Sequence, residues 1–203
     1  MPIKQTDLGL AWVARANTDA TMPDDRKSGI LSYIEPALFR ESMSHLTAAV
    51  HIVTSAGPAG KTGFTATAVC SVSDDPAMLL VCVNKRSNSA PLFSQNGAFC
   101  VNTIGPNETK LADIFASRTG LHLDERFATG DWMTLKSGSP VLTSAVIAFD
   151  CRTIEVKELA SHNIIFGAVE AVRFGGGVPL LYHGRTYVTN FHEVLAKSQP
   201  TSV

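Results

Sequence analysis

Two polar clusters set among apolar strands hold most of the chemistry this sequence could perform. The first runs Gly63-Phe-Thr-Ala-Thr-Ala-Val-Cys-Ser-Val-Ser-Asp-Asp-Pro76. Read as one strand with alternating faces, it places Thr65, Thr67, Val69 and Ser71 on one side, where small hydroxyl side chains let a flat ligand approach closely. A hairpin strand that uses threonine for its β propensity alone has the same composition. The second cluster, Asn84-Lys85-Arg86-Ser87-Asn88-Ser89, puts two cations and several hydrogen-bonding side chains between an apolar strand and a helix start. That suits a phosphate monoester held by charge and by helix amides, and a solvated polar turn is its plainer alternative.

Other apparent motifs do not survive their structural context. Ser55, Gly60, Lys61 and Thr62 fall one glycine short of a phosphate loop, and Phe64 onward reads as strand where a P-loop must open a helix. Gly175-Gly176-Gly177 is not a dinucleotide fingerprint and reads as a hairpin turn. No G-x-S-x-G elbow supplies a hydrolase nucleophile. The six histidines contain no H-E-x-x-H, His45 and His51 read equally as surface or satisfied residues or as ligands, and no metal site is expected.

The elements that must position these clusters follow from periodicity. Leu38, Phe39, Met43, Leu46 and Val50 recur at helical spacing after Pro36, predicting an amphipathic helix that passes into a strand at Ala49. A turn at residues 57–60 joins that strand to a run from Phe64 to Val72, and Asp74-Asp75-Pro76 ends it before a third strand over Met78–Asn84. A short helix from Ser89 or Ala90 to Gln95 closes at Gly97, and Ala98–Thr103 resumes as strand. A helix from Asn107 to about Ser117 presents Leu111, Ile114 and Phe115 on one face. Residues 117–140 form a long connection. Val141–Glu158, Asn163–Phe174 and Pro179–Tyr182 are further β runs. Six or seven closely spaced strands with two or three helices favour an antiparallel barrel with attached helices over a parallel sheet.

Composition sets the class. The 203 residues carry 17 Lys+Arg and 18 Asp+Glu, a balance that gives no nucleic-acid footprint. Hydrophobic residues at 45% and charged residues at 17% are enough for one packed domain, expected over 35–192 between an N-terminal arm (1–34) and a C-terminal tail (193–203). No apolar run approaches the roughly 18 residues of a membrane span. Leu8–Ala14 is short for a signal peptide, and Asp7 follows Lys4 where such a peptide would be basic, so an arm is expected there. Cysteines 70, 82, 100 and 151 form no C-x-x-C pair and read as reduced thiols of a cytoplasmic protein.

Several ordered segments together resemble a known family. They are Phe39-Arg-Glu-Ser-Met-Ser44, the Gly63–Pro76 run, Leu80-Val-Cys-Val-Asn-Lys-Arg-Ser87, Phe99-Cys-Val-Asn102, Arg126-Phe127, Gly138-Ser-Pro-Val-Leu142, Cys151-Arg152, His162–Gly167 and Tyr182. Together they resemble the short flavin reductases, the reductase components of two-component flavin-dependent monooxygenases. Their wording from Gly63 to Val72 is similar to the pyrimidine-degradation branch. The resemblance runs from about Phe39 to Tyr187.

It implies a mainly β, FMN-binding split barrel, an antiparallel Greek-key barrel with a few flanking helices. It also implies a homodimer that reduces FMN or FAD with NADH or NADPH and supplies a separate oxygenase, with no nucleic acid and no membrane involved. Thr65, Ala66, Thr67, Ala68, Val69, Cys70 and Ser71 would lie along the isoalloxazine. Asn84, Lys85, Arg86, Ser87, Asn88 and Ser89 would take the phosphate, while Cys100, Val101 and Asn102 would border the ring. His162 would lie by the nicotinamide and Tyr187 would close the site. The sequence departs from many members at Thr67, where they have Asn, and at Cys70, where they have Ser or Thr.

Hydride transfer between nicotinamide C4 and flavin N5 draws its electronics from the cofactors, so the protein's task is orientation and His162 is a positioning residue. Arg118 and Arg126 are candidates for the dinucleotide phosphates. Two other functions fit the same frame: a flavin-binding module without turnover, or a reductase of a cobalt corrinoid or ferric acceptor.

Overall fold

The structure, a computed structural model, describes residues 33–190. Apart from Tyr33 and Ile34, the expected arm and tail lie outside the described residues. The first helix, α1 (Pro36–Ser44), starts on a proline, whose missing N–H costs nothing in a first turn. Short strand β1 (Ala48–Ala49) follows, then β2 (His51–Ser55), β3 (Thr62–Ala66), β4 (Val69–Asp74) and β5 (Ala77–Asn84). Helix α2 (Ala90–Asn96) ends at Gly97, whose φ of 68° is the left-handed conformation that stops a helix cheaply only at glycine. Beyond it lie β6 (Ala98–Thr103), a 3-10 turn (Pro106–Glu108), α3 (Thr109–Phe115) and α4 (Leu123–Phe127). The chain finishes with β7 (Trp132–Thr134), β8 (Pro140–Leu142), β9 (Ile147–Leu159), β10 (His162–Phe174), β11 (Leu181–His183) and β12 (Thr186–Val188).

Seven strands form one antiparallel sheet in the order β3-β2-β6-β9-β10-β5-β4. Laid flat, seven strands would span about 29 Å between outer edges. Yet β3 and β4, the two edges, are joined by Thr67 and Ala68 alone. Three peptide steps from Ala66 to Val69 reach at most about 11 Å, so the sheet must curl until its edges nearly meet. The result is a split barrel with its opening between β3 and β4.

Both faces of β6 are buried, which explains its near-continuous apolar sequence. Val53, Val81, Val83, Phe93, Phe99, Val101 and Ile165 belong to one core cluster. Their neighbours on the opposite strand faces, among them Ile52 and Cys100, join Leu111, Phe115, Phe127 and Leu142 in a second cluster against α3, α4 and β8. A Cβ at Gly167 would sit 2.5 Å from the Phe99 ring, so β10 crosses that ring only as glycine.

Three expectations are corrected. The Phe64–Val72 run is two strands: the chain leaves β3 at Ala66 and starts β4 at the opposite edge, so Thr65, Thr67, Val69 and Ser71 share no face. The Val141–Glu158 run is β8 and β9, separated by a turn in which the Ala145 amide bonds to the Leu142 carbonyl. Gly175–Gly177 is no hairpin turn. It carries the chain from β10, paired with β9, to β11, which pairs with β1 and β12 in a separate sheet. The expected amphipathic helix is present as α1, and among the described residues nothing buries its apolar side: Leu38 and Phe39 on it, and Leu46 just after it, are each more than half exposed.

Asn102 ties the layers together. Fully buried on β6, its Nδ2 donates to the Ile52 carbonyl (3.0 Å) and to Thr54 Oγ1 (3.1 Å), while Oδ1 accepts the Leu142 amide (2.8 Å). Asn102→Ala leaves that amide and carbonyl without these partners in a dry core, so we expect a loss of about 2–4 kcal/mol. A lowered urea midpoint with unchanged slope is the check.

Candidate functional site

The split in the barrel opens into a cleft of about 450 Å³. One wall is the end of β3 and the link after it: Phe64, Thr65, Ala66, Thr67 and Ala68. The other comprises Cys82, Val83 and Asn84 of β5, with Phe115, Ala116 and Ser117 at the end of α3. The cleft lies here because no ladder joins β3 to β4. Ala68 instead accepts the Cys82 amide (3.1 Å), anchoring the link to β5. Thr65 Oγ1 is committed to the Ala112 carbonyl (2.6 Å), whereas Thr67 is exposed on the link.

A second, polar cavity of about 510 Å³ adjoins it, and Arg86, Ser87 and Ser117 line both. Asn88, Ser89, His122, Asp124 and Arg126 complete its polar wall. The 84–89 loop is stitched internally. Asn84 Oδ1 accepts the Arg86 amide (2.9 Å), the Asn84 carbonyl accepts the Ser87 amide (2.9 Å), and Ser87 Oγ accepts the Ser89 amide (3.3 Å). Such local side-chain bonds hold a loop in one shape before any ligand arrives. The Arg86 guanidinium meets no carboxylate among the described residues, and Arg126 Nε is held by the Leu121 carbonyl (3.1 Å). The cavity therefore presents two guanidinium groups suited to a phosphate.

The helix amides expected to assist are occupied. The Ala90 amide bonds to Ser87 O, those of Leu92 and Phe93 bond to Ser89 O, and Pro91 has no N–H. An anion here would be held by side chains.

A third pocket of about 180 Å³ shares Thr65, Ala66, Thr67 and Ala116 with the cleft and is closed by Arg118, Tyr182 and Tyr187. Tyr187 donates to Asp113 Oδ1 (3.0 Å), which also takes Arg118 Nη1 (2.7 Å). The Arg118 guanidinium lies 5.8 Å from the Tyr187 ring centre. Arg118 and Arg126 thus stand in different pockets.

Of the residues singled out from sequence, Thr65, Ala66, Thr67, Ala68, Asn84, Arg86, Ser87, Asn88, Ser89, His162 and Tyr187 line these cavities. Ser89 is itself buried, and its hydroxyl donates to the Gly63 carbonyl. His162 stands opposite Asn84 at the start of β10, exposed, with Nδ1 2.9 Å from Ser161 Oγ.

Seven others lie elsewhere. Val69 packs against the barrel core, and Cys70 and Ser71 are exposed along β4. Lys85 pairs with Glu158 at 2.9 Å. Cys100, Val101 and Asn102 are fully buried in β6 and line none of these cavities. Burial pushes the Cys100 thiol well above its ordinary range, with Asp150 and Cys151 adding to the effect.

Sequence reasoning missed Cys82, Phe115, Ala116, Ser117 and His122. Their only sequence signal is proximity: Cys82 precedes the polar loop on its own strand, and Ala116-Ser117 ends a helix before the long connection. His51 is no ligand. Its Nδ1 meets Thr103 Oγ1 at 3.0 Å, and burial lowers its pKa to about 4. Among the described residues, no group of three or more His, Cys, Asp or Glu could hold a metal ion, and no helix is long and apolar enough to cross a membrane.

The antiparallel split barrel is the fold of solved flavin reductases. The flavin reductase like domain matches residues 43–190, and the chain belongs to that family. The FMN reductase (NADH) RutF 1 of Methylorubrum extorquens strain PA1 is 46% identical over 166 residues, covering 81% of each chain. A RutF from Variovorax paradoxus strain S110, also named FMN reductase (NADH), is 42% identical over 170 residues, 83% of this chain and 91% of its own. Among solved structures, a protein assigned as a flavin reductase from Haemophilus somnus 129pt matches with a TM-score of 0.73 and 39% identity, over 76% of this chain and 99% of that one.

The Tyr187 contacts set its titration. Burial and then the hydrogen bond and charge of Asp113 push the phenol up to about 12, with Arg118 pulling the other way. The stabilisation this gives is present below pH 10 and is lost as pH rises towards 12. In Asp113→Asn the phenol should ionise at lower pH, and the absorbance of tyrosinate in difference titrations against Tyr187→Phe measures the shift.

Proposed function

We propose that this chain is an NADH-dependent flavin reductase that binds FMN in the split of its barrel and supplies reduced flavin to a separate oxygenase. The observation that carries this reading is the match to proteins named FMN reductase (NADH) along 81% of the chain, at 46% identity. The cleft agrees with it. Thr65, Ala66, Thr67 and Ala68 form a wall of small side chains against which a flat ring can lie. Arg86, Ser87, Asn88 and Arg126 form the adjoining phosphate pocket. Arg86, with no carboxylate partner among the described residues, supplies the uncompensated charge that a phosphate needs.

The flavin and the nicotinamide would supply the redox chemistry themselves. The chain's own residues would bind and orient. The anchored Thr67–Ala68 link would hold the ring, the stitched 84–89 loop would take the phosphate, and His162 at the cleft's edge would position the nicotinamide. FMN and NADH are favoured over FAD and NADPH by the relatives' names. The solved NADH:FAD oxidoreductase SgcE6 of Streptomyces globisporus, in complex with NAD and FAD fragments, keeps FAD among the flavins to test. The apolar side chains of α1, uncovered among the described residues, support a homodimer. Four free cysteines support a reducing, cytoplasmic setting.

Anaerobic addition of NADH to the purified chain with FMN tests the activity. Bleaching of the oxidised flavin band is the expected result. Flavin that binds but stays oxidised with both NADH and NADPH would show a binding module instead, and transfer to a cobalt corrinoid or ferric complex without free flavin would show a different acceptor. For the phosphate pocket, Arg86→Gln should weaken FMN about 10- to 100-fold, the worth of a charge-assisted bond, while leaving riboflavin, which lacks the phosphate, unchanged. Fluorescence titration reads both.

A further inference from the structure

Among the described residues, three besides glycine have a positive φ: Ser117, Ala160 and Arg185. Only Ser117 lines both the cleft and the phosphate pocket. Its backbone closes α3 in a recognisable way. The Arg118 amide bonds to the Asp113 carbonyl and the Ser117 amide to the Ile114 carbonyl, both at 3.1 Å. This is the paired closure that places a left-handed residue just past a helix, a position where glycine avoids the steric penalty. Here the residue is serine, at φ 61°. Its side chain is exposed, and its hydroxyl has no hydrogen-bond partner among the described residues.

The seam it occupies has a chemical meaning if the cleft takes FMN. That molecule is a flat ring, a polyol chain and a phosphate in sequence. With the ring over Ala66–Ala68 and the phosphate at Arg86 and Arg126, the polyol must cross between the two cavities. Only Arg86, Ser87 and Ser117 line both sides of that crossing. Arg86 is matched to the phosphate by charge, and Ser87 Oγ already accepts the Ser89 amide. Ser117 alone brings an uncommitted hydroxyl.

We propose that Ser117 is a flavin-positioning residue whose hydroxyl, held in the seam by its left-handed backbone, hydrogen-bonds the ribityl chain and sets the spacing of ring and phosphate. The inference rests on the flavin reading above. It differs from that reading in what it predicts for flavins lacking one part or another.

The test compares dissociation constants of FMN, riboflavin and lumiflavin, which has no ribityl chain, for the wild-type chain, Ser117→Ala and Ser117→Gly. Ser117→Ala should weaken FMN and riboflavin by the same factor, about three- to tenfold for one neutral hydrogen bond, and leave lumiflavin unchanged. Ser117→Gly should show the same loss with a thermal midpoint at or above that of the wild type, because glycine relieves the left-handed turn. That separates a lost contact from a damaged fold. Unaltered riboflavin binding in Ser117→Ala would overturn the inference, as would an equal loss for lumiflavin. A wild-type chain that binds none of the three would overturn the flavin reading itself.

Discussion

The link of Thr67 and Ala68 between β3 and β4 is the constraint on which the rest depends. Two residues must carry the chain from one outer edge of a seven-stranded sheet to the other, and they are too short to do so unless the sheet curls. Curling brings the edges together without pairing them, and the gap becomes a cleft. The small side chains of the link form the cleft's wall, and the Ala68–Cys82 backbone bond fixes its height. Barrel closure and ligand space are thus consequences of one connection.

Around that opening the protein divides its polar groups by task. Asn102 spends its amide group inside the structure, joining β6 to β2 and β8. Asp150, equally buried, accepts both the amide and the hydroxyl of Ser137 and so pins the connection that follows β7. Arg86 and Thr67, by contrast, stay uncommitted at the surface of the cleft. Buried polar groups demand partners and so serve architecture, while those left facing solvent remain available to a ligand.

Much of this was legible in the sequence wherever one local signal ruled. The bounds of β6 follow from an apolar run between Gly97 and Gly105, and α2 from Pro91 and Gly97. The cationic loop was legible because two charges interrupt an apolar strand. The break at Thr67 was not, since Thr65 to Ser71 keeps strand-forming residues throughout and only distant pairing shows that two edges are involved. The α1 helix was legible but its neighbour was not, because periodicity reports that a face is apolar, not what covers it. Cys100 to Asn102 matched a family motif, yet the match carried no information about depth, and all three lie in the core. Ser117 was invisible because a left-handed backbone at serine leaves no pattern in composition.

The outer strand β4 has a consequence for the protein's behaviour in concentrated solution. Its free edge carries unpaired backbone groups, the kind of surface on which a second chain could lay a strand and begin a fibre. The register shift between Ser71 and Ser73 bends that edge, and four of its six side chains are exposed, among them both serines' neighbour Val72 and the acidic Asp74. A straight incoming strand would therefore find only a short matched stretch before the backbone turns away. The same edge strand that leaves the barrel open to a small flat molecule is shaped to refuse a long extended one.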